Sequence, residues 1–326
     1  MIIMVETLLV KNIIGYATIQ DLGRRGYRSI GIPVSGVLDR ISYIYSNYLL
    51  NNNLYEAVIE QYGYGEYVVL NDTIVCVTGG ARHIIVDDNE YDAWKPVFVK
   101  KNSVLKIKPD RSPLIYIAIY SGVKCNNVLN SKSTYLRAGI GCVRNVLKPN
   151  DIIESNKRVD PSNLSLLLDK GSLINIYEKQ IPSSSETIIL RSTRSFHSDL
   201  IWDIDVLLRE TYYLSSEYDR MGYRLEGKPL DSTRNLGRLP SIPVDRGFVQ
   251  IPPDGKPIVL MSDSQTMGGY AVALHVLQPD VDRLAHAQPD QKILFREISF
   301  SEAERIIEKY YNILEKPVLN IDIYYH

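Results

Sequence analysis

Polar side chains with the chemistry of an anion-binding or catalytic site lie in three glycine-containing segments of the chain. Arginine guanidinium groups bind carboxylates, and the N–H groups of a Gly-Gly pair can stabilise a developing oxyanion. The residues predicted to be catalytic are Arg220, Tyr223, Arg224 and Gln265. The residues predicted to bind the substrate are Arg24, Ser35, Asp39, Asp219, Glu226, Thr266, Gly268, Gly269 and Tyr270. The alternative is a salt-bridge network that fixes two domains together, and residue chemistry favours neither.

The first of these segments, residues 20–39, contains four glycines and three arginines. Glycine permits positive φ and close approach of the backbone to a ligand. Apolar residues then recur at the spacing of one helical face: Ile41, Ile44, Tyr45, Tyr48 and Leu49. This pattern predicts a helix capped by Ser35 or Asp39, and a loop that ends at a helix N-terminus can bind an anion. The alternative is a tight turn with solvated arginines.

Two other kinds of site are not supported by the sequence. Residues 222–228 fit the first part of a phosphate-binding loop, but Pro229 stands where the motif needs Ser or Thr. Their bulky residues are more typical of a strand. The five histidines are scattered without metal-ligand spacing, so we expect no metal.

Length and composition indicate a globular protein of two domains. The chain has 326 residues, a net charge of −1 and 45% hydrophobic residues, which gives no electrostatic signature of nucleic acid or membrane binding. No apolar run is long enough to span a bilayer and no signal peptide is evident, so we expect a cytoplasmic protein. Cys76, Cys125 and Cys142 are widely spaced, and we expect buried thiols and not a disulfide framework.

The order of apolar segments predicts a mainly β chain with a few helices. Short β-branched segments separated by turn residues fill most of the first half, including a hairpin with strand 83–86 and a turn at 87–90, a half-exposed strand at 104–108 and a central strand at 114–120. A serine-rich stretch predicts the domain boundary near residue 185, giving domains at 1–185 and 186–326. A capping box at residues 301–304 predicts a final helix with the apolar stripe Ala303, Ile306, Ile307, Tyr310 and Leu314.

Several separated runs also resemble one known family. The runs QDLGRRGY and GIPVSGVLD, residues 213–227 and residues 262–270 are similar to the biotin-dependent carboxyltransferase subdomain A/B family. Residues 133–151 resemble it in part, because Ala138 and Cys142 stand where glycines are usual. The run Ser192-Thr193-Arg194 replaces the Gly-Pro-Gln usual after the preceding arginine, so a ligand contact by that run is not expected.

The resemblance implies two cyclophilin-like β-barrel domains, subdomain A at 1–185 and subdomain B at 186–326. It implies one component of an enzyme, the C subunit of an ATP-dependent 5-oxoprolinase, which opens 5-oxoproline to glutamate. The partners would be a B-type subunit, or kinase-inhibitor-like protein, and a lactam-hydrolase-like A subunit. One alternative is carboxyl transfer from carboxybiotin to urea or an amide. The biotin would then be carried by another chain, because this sequence lacks its attachment tetrapeptide. Another is a non-catalytic regulator that binds a kinase inhibitor.

Overall fold

The computed structural model describes residues 5–160, 168, 173–236 and 239–317. These residues form two compact units and are mainly β, as the sequence predicted. The first unit comprises the described residues within Met1–Arg24, Asp39–Ile181 and Ile313–Tyr324. The second comprises those within Arg25–Leu38 and Pro182–Asn312. The segment Arg25–Leu38 therefore belongs to the second unit, although the chain on both sides of it belongs to the first.

The first unit is built on a nine-stranded, nearly closed sheet. Its strands are β1 (Val5–Gln20), β2 (Val58–Val69), β3 (Thr73–Gly79), β4 (His83–Val86), β5 (Asn89–Asp92), β6 (Pro96–Val99), β7 (Val104–Ile107), β8 (Leu114–Ile119) and β9 (Ile152–Ser155). The order is β5-β4-β7-β2-β8-β3-β6, and β1 pairs with β2 and β9. Every residue of β8 is buried whereas β7 alternates, so the predicted central and half-exposed strands are confirmed.

Helices also form part of the first unit, and two of them have described bounds. Helix α1 (Arg40–Leu49) presents the predicted apolar face, and Ile41, Ile44 and Tyr45 are fully buried. Helix α2 (Ile174–Gln180) places Tyr177 against Trp94, with ring centroids 6.3 Å apart. The predicted hairpin is also present, since β4 pairs with β5 through Asp87 and Asp88, which both have positive φ.

The second unit is a closed barrel of seven strands. Its strands are β10 (Ile188–Arg194), β11 (Tyr212–Tyr218), β12 (Gly222–Glu226), β14 (Phe248–Ile251), β15 (Ile258–Leu260), β17 (Ala271–Val276) and β18 (Lys292–Glu297). The order is β10-β17-β14-β15-β12-β11-β18, and a parallel pairing of β18 with β10 closes it. A separate ribbon is formed by β13 (Ile242–Pro243) and β16 (Met267–Gly268). Residues 222–226 are thus a barrel strand, which agrees with rejection of the phosphate-binding loop.

The described residues after β10 contain the α-helices α3 (Asp205–Arg209), α4 (Gln278–Leu284) and α5 (Phe300–Glu315). The predicted final helix is confirmed, with Ala303, Ile306, Tyr310 and Leu314 buried and Ile307 partly buried. Its capping residue lies two positions before the predicted one. The hydroxyl of Ser299, and not that of Ser301, accepts a hydrogen bond from the N–H of Glu302 at 3.2 Å.

The cysteines differ from the sequence-based expectation. Cys125 and Cys142 form a disulfide, with Cα atoms 5.7 Å apart, whereas Cys76 is a buried thiol as predicted. The expectation failed because both partners lie in irregular segments outside the strands, where sequence gives no register from which to infer a contact. In the described part of the chain, no helix is long and apolar enough to cross a membrane.

Candidate functional site

The segment Arg25–Leu38 is held against the second unit by its main-chain carbonyl groups. Arg220 Nη2 donates to the carbonyl of Gly36 at 2.5 Å. Ser262 Oγ donates to that of Val37 at 3.0 Å, and Arg246 Nη2 to that of Leu38 at 2.7 Å. Three consecutive carbonyls are therefore bound by three side chains. We call Arg220, Ser262 and Arg246 the carbonyl clamp.

Both arginines of the carbonyl clamp are buried and paired with buried carboxylates. Arg220 forms a two-point contact with Asp263, with Nε–Oδ2 at 2.8 Å and Nη2–Oδ1 at 3.2 Å. Arg246 lies 2.7 Å from Asp282, whose other oxygen accepts a hydrogen bond from Tyr310. Such a pair is stable in a dry environment only when its remaining hydrogen-bonding groups are also satisfied. The carbonyls of residues 36 and 38 supply acceptors for these guanidinium groups.

Arg28 fixes the earlier part of the same segment. Its Nη1 lies 3.1 Å from Asp245, and its Nη2 donates to the carbonyl of Val244. Val244 is in turn linked to Thr266, because its N–H donates to the carbonyl of Thr266 at 3.1 Å. The predicted substrate-binding residue Thr266 thus lies in a part of the second unit that is connected to Arg25–Leu38 by main-chain and side-chain hydrogen bonds.

Ser35 has the least usual environment of the predicted site residues. Its φ is 57°, a left-handed conformation that is uncommon outside glycine. Only 4% of the residue is exposed, and its hydroxyl has no hydrogen-bond partner within the described residues. Buried polar groups normally have partners, and strained backbone of this kind is concentrated at functional sites. Ser35 does not cap α1, so that alternative of the sequence analysis was wrong.

Gln265 is positioned by a second buried glutamine. Its Nε2 donates to Oε1 of Gln250 at 2.9 Å, and Gln250 is only 2% exposed. The Nε2 of Gln250 has no partner in the described part of the chain. A Cβ atom at Gly268 would lie 2.3 Å from this nitrogen, so glycine at this position permits the close approach. The neighbouring Gly269 accepts a hydrogen bond through its carbonyl, and Tyr270 is exposed.

The remaining predicted residues of the second unit have contacts of other kinds. Asp219 accepts hydrogen bonds from the N–H groups of Met221 and Gly222 and so stabilises the turn between β11 and β12. Tyr223 is buried, and its hydroxyl donates to the carbonyl of Ala285 at 3.1 Å. Its neighbours point to the opposite side of β12. Arg224 pairs with Glu217 and Asp254, and the exposed Glu226 pairs with Lys256.

Two predicted residues lie in the first unit. Arg24 is fully buried and donates to the carbonyl of Ser133. Asp39 caps α1, as one alternative predicted, by accepting from the N–H groups of Ile41 at 2.9 Å and Ser42 at 3.2 Å. The Ser42 hydroxyl and the Gln180 amide also donate to its carboxylate. The Asp39 side chain therefore has four donors from its own unit.

A buried tyrosine connects Asp39 to a second carboxylate in that unit. The oxygen of the Tyr116 hydroxyl accepts from the N–H of Asp39 at 2.7 Å, and the hydroxyl donates to Glu60 at 3.0 Å. Burial, together with the nearby charges of Glu60 and Asp39, raises the pKa of Tyr116 well above its usual value. Tyr116 is therefore protonated at neutral pH and donates a hydrogen bond to Glu60.

Sequence reasoning missed several residues that organise the site: Ser262, Asp263, Arg246, Asp282 and Gln250. Asp263 had a local signal, because it lies two residues before Gln265 in a segment already identified. Arg246 and Asp282 are separated by 36 residues, and nothing in the sequence indicates that they pair. Among the described residues, no group of three or more His, Cys, Asp or Glu side chains could hold a metal ion.

Known proteins resemble this chain over nearly its full length. It is 31% identical over 312 residues to the 5-oxoprolinase C subunit of Haemophilus influenzae, covering 94% of this chain and 95% of that protein. The corresponding protein of Escherichia coli is 32% identical over 302 residues, covering 88% and 90%. Urea amidolyase of Saccharomyces cerevisiae is 26% identical over 314 residues, but this chain spans only 17% of its length.

The fold also has a solved counterpart. The crystal structure of Kluyveromyces lactis urea carboxylase superposes with a TM-score of 0.84 at 19% identity, covering 98% of this chain and 30% of that one. Residues 30–297 match the family described as carboxyltransferase domain, subdomain A and B. That match includes most of Arg25–Leu38, the carbonyl clamp and Gln265. The chain therefore belongs to the carboxyltransferase subdomain A and B family.

Proposed function

We propose that this chain is the C subunit of an ATP-dependent 5-oxoprolinase that opens 5-oxoproline to L-glutamate. The observation that carries the proposal is the 31% identity to the 5-oxoprolinase C subunit of Haemophilus influenzae, which extends over 94% of this chain and 95% of that protein. The chain would act with a B-type subunit and a lactam-hydrolase-like A subunit.

The chemistry of lactam opening fits the groups available in this chain. Hydrolysis of an amide passes through a tetrahedral species whose oxygen becomes negatively charged, and fixed N–H and hydroxyl donors stabilise such charge. The amide groups of Gln265 and Gln250 are joined by a hydrogen bond of 2.9 Å, and Gln250 is buried, so the surrounding structure holds both in place. We assign ATP binding to another subunit, because residues 222–226, the nearest approach to a nucleotide motif, form β12.

A second candidate is carboxyl transfer from carboxybiotin to urea or a related amide. The observations that favour it are the 26% identity to urea amidolyase and the TM-score of 0.84 with urea carboxylase. Biotin would then reach the site on another chain. We rank this function second, because the identity is lower and this chain spans only 17% of the urea amidolyase length.

Reconstitution separates these functions. The chain is co-expressed with a B-type and an A-type 5-oxoprolinase subunit, and glutamate formed from 5-oxoproline is measured with and without ATP. We expect ATP-dependent glutamate that is lost when this chain alone is omitted. Glutamate formation that is unchanged by the omission would contradict the proposal. Carboxylation of urea by a biotin-bearing partner would favour the second function, and partner binding without either activity would indicate a regulator.

A further inference from the structure

Residues 35–37 of the second unit carry unused hydrogen-bond donors beside a fixed peptide group. The Ser35 hydroxyl is buried and unpartnered within the described residues. Among the described residues, the N–H groups of Ser35, Gly36 and Val37 likewise have no hydrogen-bond acceptor. Ser35 and Gly36 have φ values of 57° and 84°. Successive N–H groups of a turn can form a concave site for an anion.

The carbonyl clamp sets the direction of one of these donors. In a trans peptide the C=O of one residue and the N–H of the next point in opposite directions, and the described chain contains no cis peptide bond. Because Arg220 binds the carbonyl of Gly36, the N–H of Val37 is directed away from Arg220. The hydrogen bond from a cation also polarises this peptide group and makes its N–H a stronger donor. Arg220 is thus a positioning residue for residues 35–37.

The charges around the segment favour a monoanion. The two cations of the carbonyl clamp, Arg220 and Arg246, are each paired with a buried aspartate, so they add little net positive charge to the segment. A phosphate dianion is usually held by arginine or lysine whose charge is available to it. One hydroxyl and a few N–H groups without a cation suit the single charge of a carboxylate, which accepts charge-assisted hydrogen bonds.

We propose that the Ser35 hydroxyl and the N–H groups of Gly36 and Val37 bind the carboxylate group of a small amide substrate. This assignment rests on the proposed function for the identity of that substrate, 5-oxoproline, whose ring amide is opened while its carboxylate is left unchanged. Holding the unreactive carboxylate fixes the position of the lactam carbonyl relative to the catalytic groups.

The test uses the full-length chain and a matched pair of serine variants. Ser192 also has a buried hydroxyl without a partner in the described residues, but it lies within strand β10. Ser35→Ala and Ser192→Ala therefore each remove one buried hydroxyl from the same unit. Binding of 5-oxo-L-proline, of 5-oxoprolinamide and of acetate is measured by saturation-transfer NMR titration. The amide retains the ring and lacks the carboxylate.

We expect the wild-type chain to bind 5-oxoproline and acetate and to bind the amide at least tenfold more weakly. Ser35→Ala should weaken carboxylate binding by about ten- to a hundredfold, the range for one hydrogen bond to a charged group. Ser192→Ala should leave it unchanged. Equal binding of acid and amide, wild-type affinity in Ser35→Ala, an equal loss in Ser192→Ala, or no carboxylate binding by the wild type would each overturn the assignment.

Ser35→Gly adds a readout that a structural role would not produce. Glycine adopts a φ of 57° without strain and removes the buried hydroxyl, so the variant should melt at a higher temperature while carboxylate binding falls. In the reconstituted complex, KM for 5-oxoproline should rise more than kcat falls. Lower thermal stability together with unchanged affinity would overturn the proposal. If the complex does not turn over 5-oxoproline yet acetate binding depends on Ser35, the proposed function fails and the carboxylate site stands.

Discussion

Replacing Arg220 with alanine should produce one of the largest losses of stability available in the second unit. The change leaves the Asp263 carboxylate, whose side chain is 6% exposed, buried without its cation, and it removes a donor from the carbonyl of Gly36. Breaking a buried ion pair by removing one partner costs about 3–5 kcal/mol. For a domain of this size, each kcal/mol lowers Tm by about 2–4 °C, so we expect a decrease of about 6–20 °C.

A double variant separates the charge from the clamp. Arg220→Met combined with Asp263→Leu removes both charges, and replacement of a buried pair by apolar residues is often neutral for stability. We expect the double variant to recover most of the stability lost in Arg220→Ala. It should not recover activity, because the Gly36 carbonyl still lacks the guanidinium donor that orients the Val37 N–H.

The measurements are urea and thermal unfolding followed by circular dichroism, and glutamate formation by the reconstituted complex. Both use temperatures at which each variant is folded. The reasoning is refuted if Arg220→Ala unfolds within about 1 kcal/mol of the wild type, since an intact buried pair cannot be broken at that cost. A stable double variant with full activity would equally refute the positioning role of Arg220.

Three further predictions concern other parts of the chain. Asp39→Ala should destabilise the first unit by about 2–4 kcal/mol, because it removes the cap of α1 and leaves the buried Gln180 amide without this acceptor. Asp39→Asn keeps an acceptor, so its free energy of unfolding in a urea titration should decrease less. Replacing Cys125 and Cys142 together with serine should cost about 3 kcal/mol by loop-closure entropy for a separation of 17 residues, and a reductant should lower the Tm of the wild type but not of the variant. Burial lowers the pKa of His275, although the charge of Asp245 opposes this, so the unfolded state takes up a proton first and stability should fall as pH decreases from about 7 to 5. His275→Gln should reduce that slope in thermal melts; an unchanged slope would exclude His275 as its source.

Local signals predicted the elements that depend on neighbouring residues. The turn at Asp87 and Asp88, the buried strand β8 and the Asp39 cap each follow from residue types within a few positions. The start of α5 shows the limit of this approach. Ser299 and Ser301 both carry a hydroxyl that can cap a helix, and residue type alone does not distinguish between two serines two positions apart.

The disulfide and the buried pairs were beyond such signals. Cys125 and Cys142 are brought together by irregular segments, for which no periodicity exists to give a register. Arg246 and Asp282 are each ordinary surface residue types in the sequence, and they become a buried pair only when α4 packs beside the segment before β14. Residue type therefore identified arginines that could bind anions, but it did not identify the aspartates and carbonyl groups that these arginines contact.

The carbonyl clamp shows why assignment of a catalytic role from residue type alone was ambiguous for Arg220. Its partners on the segment Arg25–Leu38 are the main-chain oxygens of residues 36–38, which any residue would supply, so the sequence of the segment carries no trace of the contact. Loss of activity in Arg220→Ala follows equally from a substrate contact and from a displaced Gly36 peptide. Ser35 can change without disturbing an ion pair, so carboxylate affinity in Ser35→Ala reports on ligand binding separately from stability.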